Sequence, residues 1–195
     1  MLHNNRIVEF SETALNGKTR VDFAPASQLP SRNKFNISAE KDNAGTIERI
    51  KLPKGTFPDQ IVYDENGHIW FTQPSNNLLT RFAPTTKKWE HITVGRAPDG
   101  LFIDKSGILW FGEYDGQHLG MYDPKLKKYR QFAAPYSGSS PAIPYEDHNG
   151  LIWMTDHQSN KVSALDLTTG KWAVYDVPTP AAWVVQLTQV EDSTP

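Results

Sequence analysis

Cysteine is absent from the 195 residues. That excludes disulfides, thiolate catalysis and cysteine-ligated zinc. Long hydrophobic runs are missing too. The longest, Ala181 to Val185, falls far short of a membrane span. The opening MLHNNRIVEF lacks the apolar core of a signal peptide. These features predict a soluble chain with no membrane partner and leave its compartment open. Charge of one sign is also scarce: 20 Lys and Arg face 22 Asp and Glu, for a net charge of -2. Without a basic stripe, nucleic acid is not an expected partner. No phosphate-cradling glycine loop, nucleophile elbow or H-E-x-x-H motif occurs.

Aromatic and turn-forming residues are abundant: six Trp, seven Tyr, nine Phe, 14 Pro and 13 Gly. Many β-formers broken by many turn residues point to an all-β protein. Gly-x-x-Trp occurs at Gly67–Trp70, Gly107–Trp110 and Gly150–Trp153. A proline stands twelve residues before each tryptophan (Pro58, Pro98, Pro141), and an aspartate six before (Asp64, Asp104, Asp147). Downstream positions repeat as well: Phe82, Tyr122 and Leu165, then Trp89, Tyr129 and Trp172. The only length difference falls in the loop PYSGSSP, 135–141.

Each unit reads as four short strands joined by tight turns such as DENG, DKSG and DHNG. Four strands per 40 to 45 residues is the period of a β-propeller blade. The fold expected is therefore a β-propeller of four-stranded antiparallel blades, with about four to five blades' worth of chain. The tryptophans then fill the space between blades, and the Asp-x-x-Gly segments are turns rather than calcium loops. Asn77 and Asn160, seven past their tryptophans, brace nearby loops.

The blades are expected at 58–97, 98–140 and 141–180. Residues 1–57 read as degenerate blade material in which NNRIVEF (4–10) matches NNLLTRF (76–82) and GTIERIKLP (45–53) is an outermost strand. Residues 181–195 read as an extra or closing strand. Two arrangements fit: an open fragment of a larger ring with further blades or domains, or a closed ring of four or five blades.

The segment PDQIVYDENGHIWFTQPSNNLLTRF (58–82) resembles blades of the streptogramin lyases, the virginiamycin B lyase-like propeller family. The middle copy, with WFGEYDG and MYDP, is also similar to sensory propellers of two-component regulators. The first resemblance implies a seven-bladed propeller that linearises a cyclic depsipeptide by elimination. It also implies magnesium and a histidine/glutamate set near one mouth of the channel. Family blades that contribute histidine carry it after the first-strand proline, where this chain has Asp59, Asp99 and Ala142. Glu113 matches the family's W-F-x-E glutamate, with Gln73 and Asp156 at the corresponding places.

Topology gives a separate route to a site. In an antiparallel blade the start of the first strand and the end of the second share one rim. That rim gathers Asp59, Asp99, Gln73, Glu113 and Asp156, beside Tyr114 and His157. His157 and Glu113 are the expected catalytic pair, with His157 as base. Glu113 and Asp156 are the expected ligands of a magnesium ion. Asp59, Asp99, Gln73, Tyr114 and Asp156 are expected to contact a small-molecule or peptide ligand. The competing expectation is a non-catalytic sensory or structural propeller module of a larger protein.

Overall fold

The computed structural model describes residues 50–187, together with the backbone of 10–11, 39–42 and 45–48. Two compact units result, Met1–Thr56 and Phe57–Pro195. In the first, strands β1 (Phe10–Ser11), β2 (Ala39–Asp42) and β3 (Gly45–Glu48) form an antiparallel sheet in the order β1-β3-β2. Residues 45–48, expected at the outside of a blade, are thus the middle strand. Ala39–Asp42 pairs with one edge of this strand and Phe10–Ser11 with the other. The proposed match of 4–10 to 76–82 lies almost wholly outside the described residues.

The second unit is a stack of propeller blades. Blade 1 comprises β4 (Ile61–Tyr63), β5 (Ile69–Gln73), β6 (Leu78–Ala83) and β7 (Lys88–Thr93). Blade 2 comprises β8 (Pro98–Ile103), β9 (Leu109–Glu113), β10 (His118–Asp123) and β11 (Lys128–Ala133). Blade 3 comprises β12 (Pro141–Glu146), β13 (Ile152–Asp156), β14 (Lys161–Asp166) and β15 (Lys171–Asp176). All three sheets are antiparallel, with strands in sequence order.

Blade faces are apolar, and they bury one another. Trp70 and Leu79 of blade 1 pack with Leu101, Leu109, Phe111 and Tyr122 of blade 2. One step on, Trp110 and Leu119 of blade 2 pack with Ile152, Met154 and Leu165 of blade 3. Trp70 and Trp110 are each 1% exposed, whereas Trp153 is only half-buried and stacks on Tyr175 at 5.5 Å. The tryptophan is therefore an inter-blade plug, seated where a following blade covers it.

The aspartate six residues earlier holds that plug in place. Each indole Nε1 donates to it: Trp70 to Asp64 at 2.9 Å, Trp110 to Asp104 at 2.8 Å and Trp153 to Asp147 at 2.9 Å. The other carboxylate oxygen accepts two backbone N–H groups across the turn, as Asp104 does from Ser106 and Ile108. One side chain thus shapes the turn and satisfies the indole. Burial pushes the Asp64 and Asp147 carboxyls up, but these hydrogen bonds outweigh it and hold both below the usual range. Asp104→Ala strands a buried indole N–H and two turn amides. It is expected to cost about 1–3 kcal/mol in urea unfolding, where no loss would contradict the role.

Candidate functional site

The pairing places the start of each first strand beside the end of the second. Pro98 lies opposite Glu113, and Pro141 opposite Asp156. In blade 1, Asp59 N–H donates to Thr72 C=O at 3.0 Å. The pairing brings these residues to one end of each blade, where they divide into two sets.

The three side chains that end the second strands turn into their own blades. Gln73 is 1% exposed, and Glu113 and Asp156 are 0% exposed. Gln73 Nε2 donates to Thr80 Oγ1 at 2.6 Å, while its oxygen accepts from Asn76 Nδ2 at 2.9 Å and Phe57 N–H at 3.3 Å. Glu113 accepts from the Tyr129 hydroxyl and, at 2.5 Å, from Gln131 Nε2. Asp156 accepts from Ser139 Oγ at 2.5 Å and from backbone N–H groups of Ser140, Gln158 and Ser159 at 2.8–3.0 Å.

Side-chain size explains why these brackets differ. The third-strand residue diagonal to each one, opposite the residue two earlier on the second strand, is Thr80, Gly120 or Ser163. In blade 2, Gly120 leaves room for the longer Glu113 to reach the fourth strand. A Cβ at Gly120 would sit 2.7 Å from Glu113 Oε1, and one at Gly95 only 1.9 Å from Oε2. In blade 3 the shorter Asp156 binds the longer 135–141 loop instead. Burial raises the Asp156 carboxyl, but the Ser139 hydroxyl and the Ser159 and Gln158 amides outweigh that and hold it below the usual range.

A second repeated bracket links the blades. Asn77, Gln117 and Asn160 all lie seven past the tryptophan and all have positive φ, at 55°, 58° and 59°. Their side-chain oxygens accept from Ala97, Gly138 and Ala182 N–H at 2.9, 2.9 and 2.7 Å. Each fixes the start of the segment that follows its blade. The longer Gln117 serves the longer loop, which is why the asparagine pattern in the sequence missed it.

The residues that follow Glu113 and Asp156, Tyr114 and His157, form a separate aromatic group. Tyr114 N–H donates to Ala97 C=O, and His157 N–H to Ser140 C=O, at 3.0 and 3.1 Å. The two rings meet at 5.7 Å, and His157 also meets Trp183 at 5.2 Å. Gln158 Nε2 donates to the Tyr114 hydroxyl at 2.8 Å. His157 Nε2 is buried and has no hydrogen-bond partner. Burial holds the imidazole below the usual histidine range, opposed by the charges of Asp156 and Asp59. The ring is therefore neutral at pH 7 and able to accept a proton.

Asp59 is exposed and acts on His157 from blade 1. Asp99 is half-buried and accepts from Gly100 N–H at 2.8 Å. Trp183 was missed in the sequence because it lies outside the Gly-x-x-Trp register, and Gln158 because its counterparts five past the other tryptophans, Ser75 and Asp115, are of different types. The usable signal was Asn160, which anchors the residue just before Trp183. Residues 181–187 have no regular strand, and 188–195 lie outside the described residues.

His118 lies apart from these rings. Its Nδ1 is 2.5 Å from Gly116 C=O, and it lines a pocket with Gln117, Ala133–Ser137 and Gly116. The side chains do not fit the magnesium ion that the resemblance implies. Among the described residues no three His, Asp or Glu side chains converge as ligands. The Glu113 and Asp156 carboxylates already serve buried donors.

The virginiamycin B lyase family model matches residues 31–194. The fold is similar to a selenomethionine-substituted virginiamycin B lyase from Staphylococcus aureus, with 24% identity, a TM-score of 0.68 and coverage of 77% of this chain and 52% of that one. It is also similar to a catalytically inactive form of the S. aureus enzyme with quinupristin, at 24% identity and a TM-score of 0.63, covering 72% and 48%. A third likeness is to the extracellular domain of a one component system from B. thetaiotaomicron, at 18% identity and a TM-score of 0.56, covering 70% and 19%. Among curated proteins, no sequence matches. The chain spans about half the length of the lyases it resembles.

Proposed function

Because the chain belongs to the virginiamycin B lyase family, we propose that its propeller binds a small molecule or peptide at the mouth around His157, and that a cyclic depsipeptide is the ligand on which chemistry occurs there. One observation carries this reading: His157, whose ring contacts Tyr114 and Trp183, has a buried, unpartnered Nε2. A neutral imidazole in that position is a base waiting for a proton donor. In an elimination, Nε2 takes the proton next to the ester-forming residue's carbonyl. The electron pair left on carbon forms a double bond, and the ester C–O bond breaks to release a carboxylate. Asp59, Asp99 and Tyr114 would contact the ligand around this centre. Glu113 and Asp156, being enclosed, act by holding blades and loops in place.

Quinupristin is the first ligand to test, since the S. aureus lyase is described with it. Saturable binding is expected, weakened at least about tenfold by His157→Ala. A linear product of unchanged mass would identify elimination, and a gain of one water would identify hydrolysis. Turnover is expected to persist as pH falls through 6.5, because the folded pKa lies below that value. Binding that is unchanged by His157→Ala would remove this site from the account.

The second reading, a non-catalytic sensory module, is favoured by the burial of both second-strand carboxylates and by the one component system fold. It predicts binding without any product.

A further inference from the structure

Each blade has two faces, one carrying the repeat tryptophan and one turned the other way. On the tryptophan face of blade 2, Trp110, Leu119 and the partly buried Phe132 pack against blade 3. Strand register puts Trp153, Val162 and Tyr175 at the same places on blade 3: Trp153 pairs with Ala164, and Val162 with Tyr175. Here Trp153 and Val162 are only half-buried, and Tyr175 is 50% exposed. Val185, whose carbonyl accepts from Thr155 Oγ1 at 3.0 Å, extends the apolar surface and is exposed too. The chain thus repeats an inter-blade joint that no blade fills among the described residues. A contiguous apolar face of this kind marks a protein–protein surface.

Two observations narrow what covers it. First, the opposite faces are enclosed in all three blades. Leu109 and Phe111 of blade 2 pack against blade 1, and Ile152 and Met154 of blade 3 against blade 2. Phe71 and Phe82, at the matching places in blade 1, are buried as well. Among the described blades, a second copy of the chain therefore has one apolar face to offer, and it is the same tryptophan face. Second, the charged edge of that face holds Asp166 directly opposite Lys171, one of each sign. Two identical faces can meet there without like-charge repulsion, and a highly charged partner would find no complement. Contact between identical patches is isologous and closes as a two-fold dimer.

We propose that the tryptophan face of blade 3 is a homodimer interface, in which Trp153, Val162 and Tyr175 of one copy pack against the same face of a second copy. The interface is independent of the ligand-binding reading above.

Sedimentation equilibrium of the full chain over about 5–500 μM tests it. A reversible monomer–dimer equilibrium is expected, with no larger species. Tyr175→Lys is expected to weaken the dimer at least about tenfold. Ala173→Glu, on an exposed residue of the same strand, places a charge on this face and removes only a methyl group. It is expected to weaken the dimer as strongly, which separates a lost interface from a damaged monomer. Tyr63→Lys, at a 69% exposed aromatic residue of blade 1, is expected to dimerise like wild type. A monomer throughout this range, or a dimer that Tyr175→Lys and Ala173→Glu leave unchanged, would overturn the proposal. Assemblies that grow beyond two copies would overturn it as well, because the face would then meet a different surface of the next copy.

Discussion

Trp110→Ala is expected to lower the free energy of unfolding by about 3–5 kcal/mol, and Trp153→Ala by less than half as much. Both residues occupy the same repeat position and donate the same hydrogen bond to an aspartate. They differ in what covers them. Trp110 is 1% exposed and enclosed by Leu119 and by Ile152, Met154 and Leu165 of the next blade. Trp153 stacks on its own blade's Tyr175, which is 50% exposed, and is itself half-buried. Removing Trp110 leaves a cavity between two rigid sheets that cannot collapse freely, so transfer and cavity costs add. Around Trp153, water and Tyr175 can fill much of the space. Urea unfolding of the two variants with unchanged m values measures the difference. Equal losses would mean that the plug stabilises its own blade rather than the joint between blades.

Asp156→Ala is expected to cost about 3 kcal/mol or more, because several donors lose one shared acceptor group in a buried place. The Ser139 hydroxyl and the Ser140, Gln158 and Ser159 amides would be stranded together. Asp156→Asn keeps the shape but turns an N–H₂ toward some of those donors, so it is expected to lose about 2 kcal/mol. The pH dependence follows from the same bonds. The carboxyl's folded pKa lies below its ordinary value of 3.8. The unfolded chain therefore takes up the proton first as pH falls. The stabilisation is complete above about pH 5 and is lost progressively as pH drops through the folded pKa. Wild type should consequently lose stability faster than Asp156→Asn between pH 5 and pH 2. Parallel acid-unfolding curves for the two would show that the bracket carries no such linkage.

The architecture was legible because blades repeat. Trp70, Trp110 and Trp153 fixed the period, and the three four-stranded antiparallel sheets follow it. The aspartate six residues earlier was visible as a turn residue. Its second role, accepting the indole N–H, depends on a side chain folding back across the hairpin, which spacing alone does not reveal. The same limit applied to the rim. Strand alternation places Gln73, Glu113 and Asp156 at the right end of each blade. Whether each then faces the mouth or its own sheet depends on what stands on the neighbouring strand: Thr80, Gly120 or Ser163. A glycine at 120 reads as a loose point in a strand, yet it makes room for a buried carboxylate. Trp183 was hidden for the opposite reason. It lies outside the repeat and is brought to His157 by the Asn160 anchor. Gly45–Glu48 was misplaced because the residues of a short strand do not reveal how many partners it has.

The central claim is that the enclosed acids support the scaffold while His157 and its neighbouring rings meet the ligand. Calorimetric titration of quinupristin into wild type, Glu113→Gln and His157→Ala tests it directly. Glu113→Gln keeps the side-chain length inside blade 2 and should bind within about twofold of wild type, whereas His157→Ala should bind at least about tenfold more weakly. Loss of binding in a folded Glu113→Gln protein, with His157→Ala unaffected, would contradict the account.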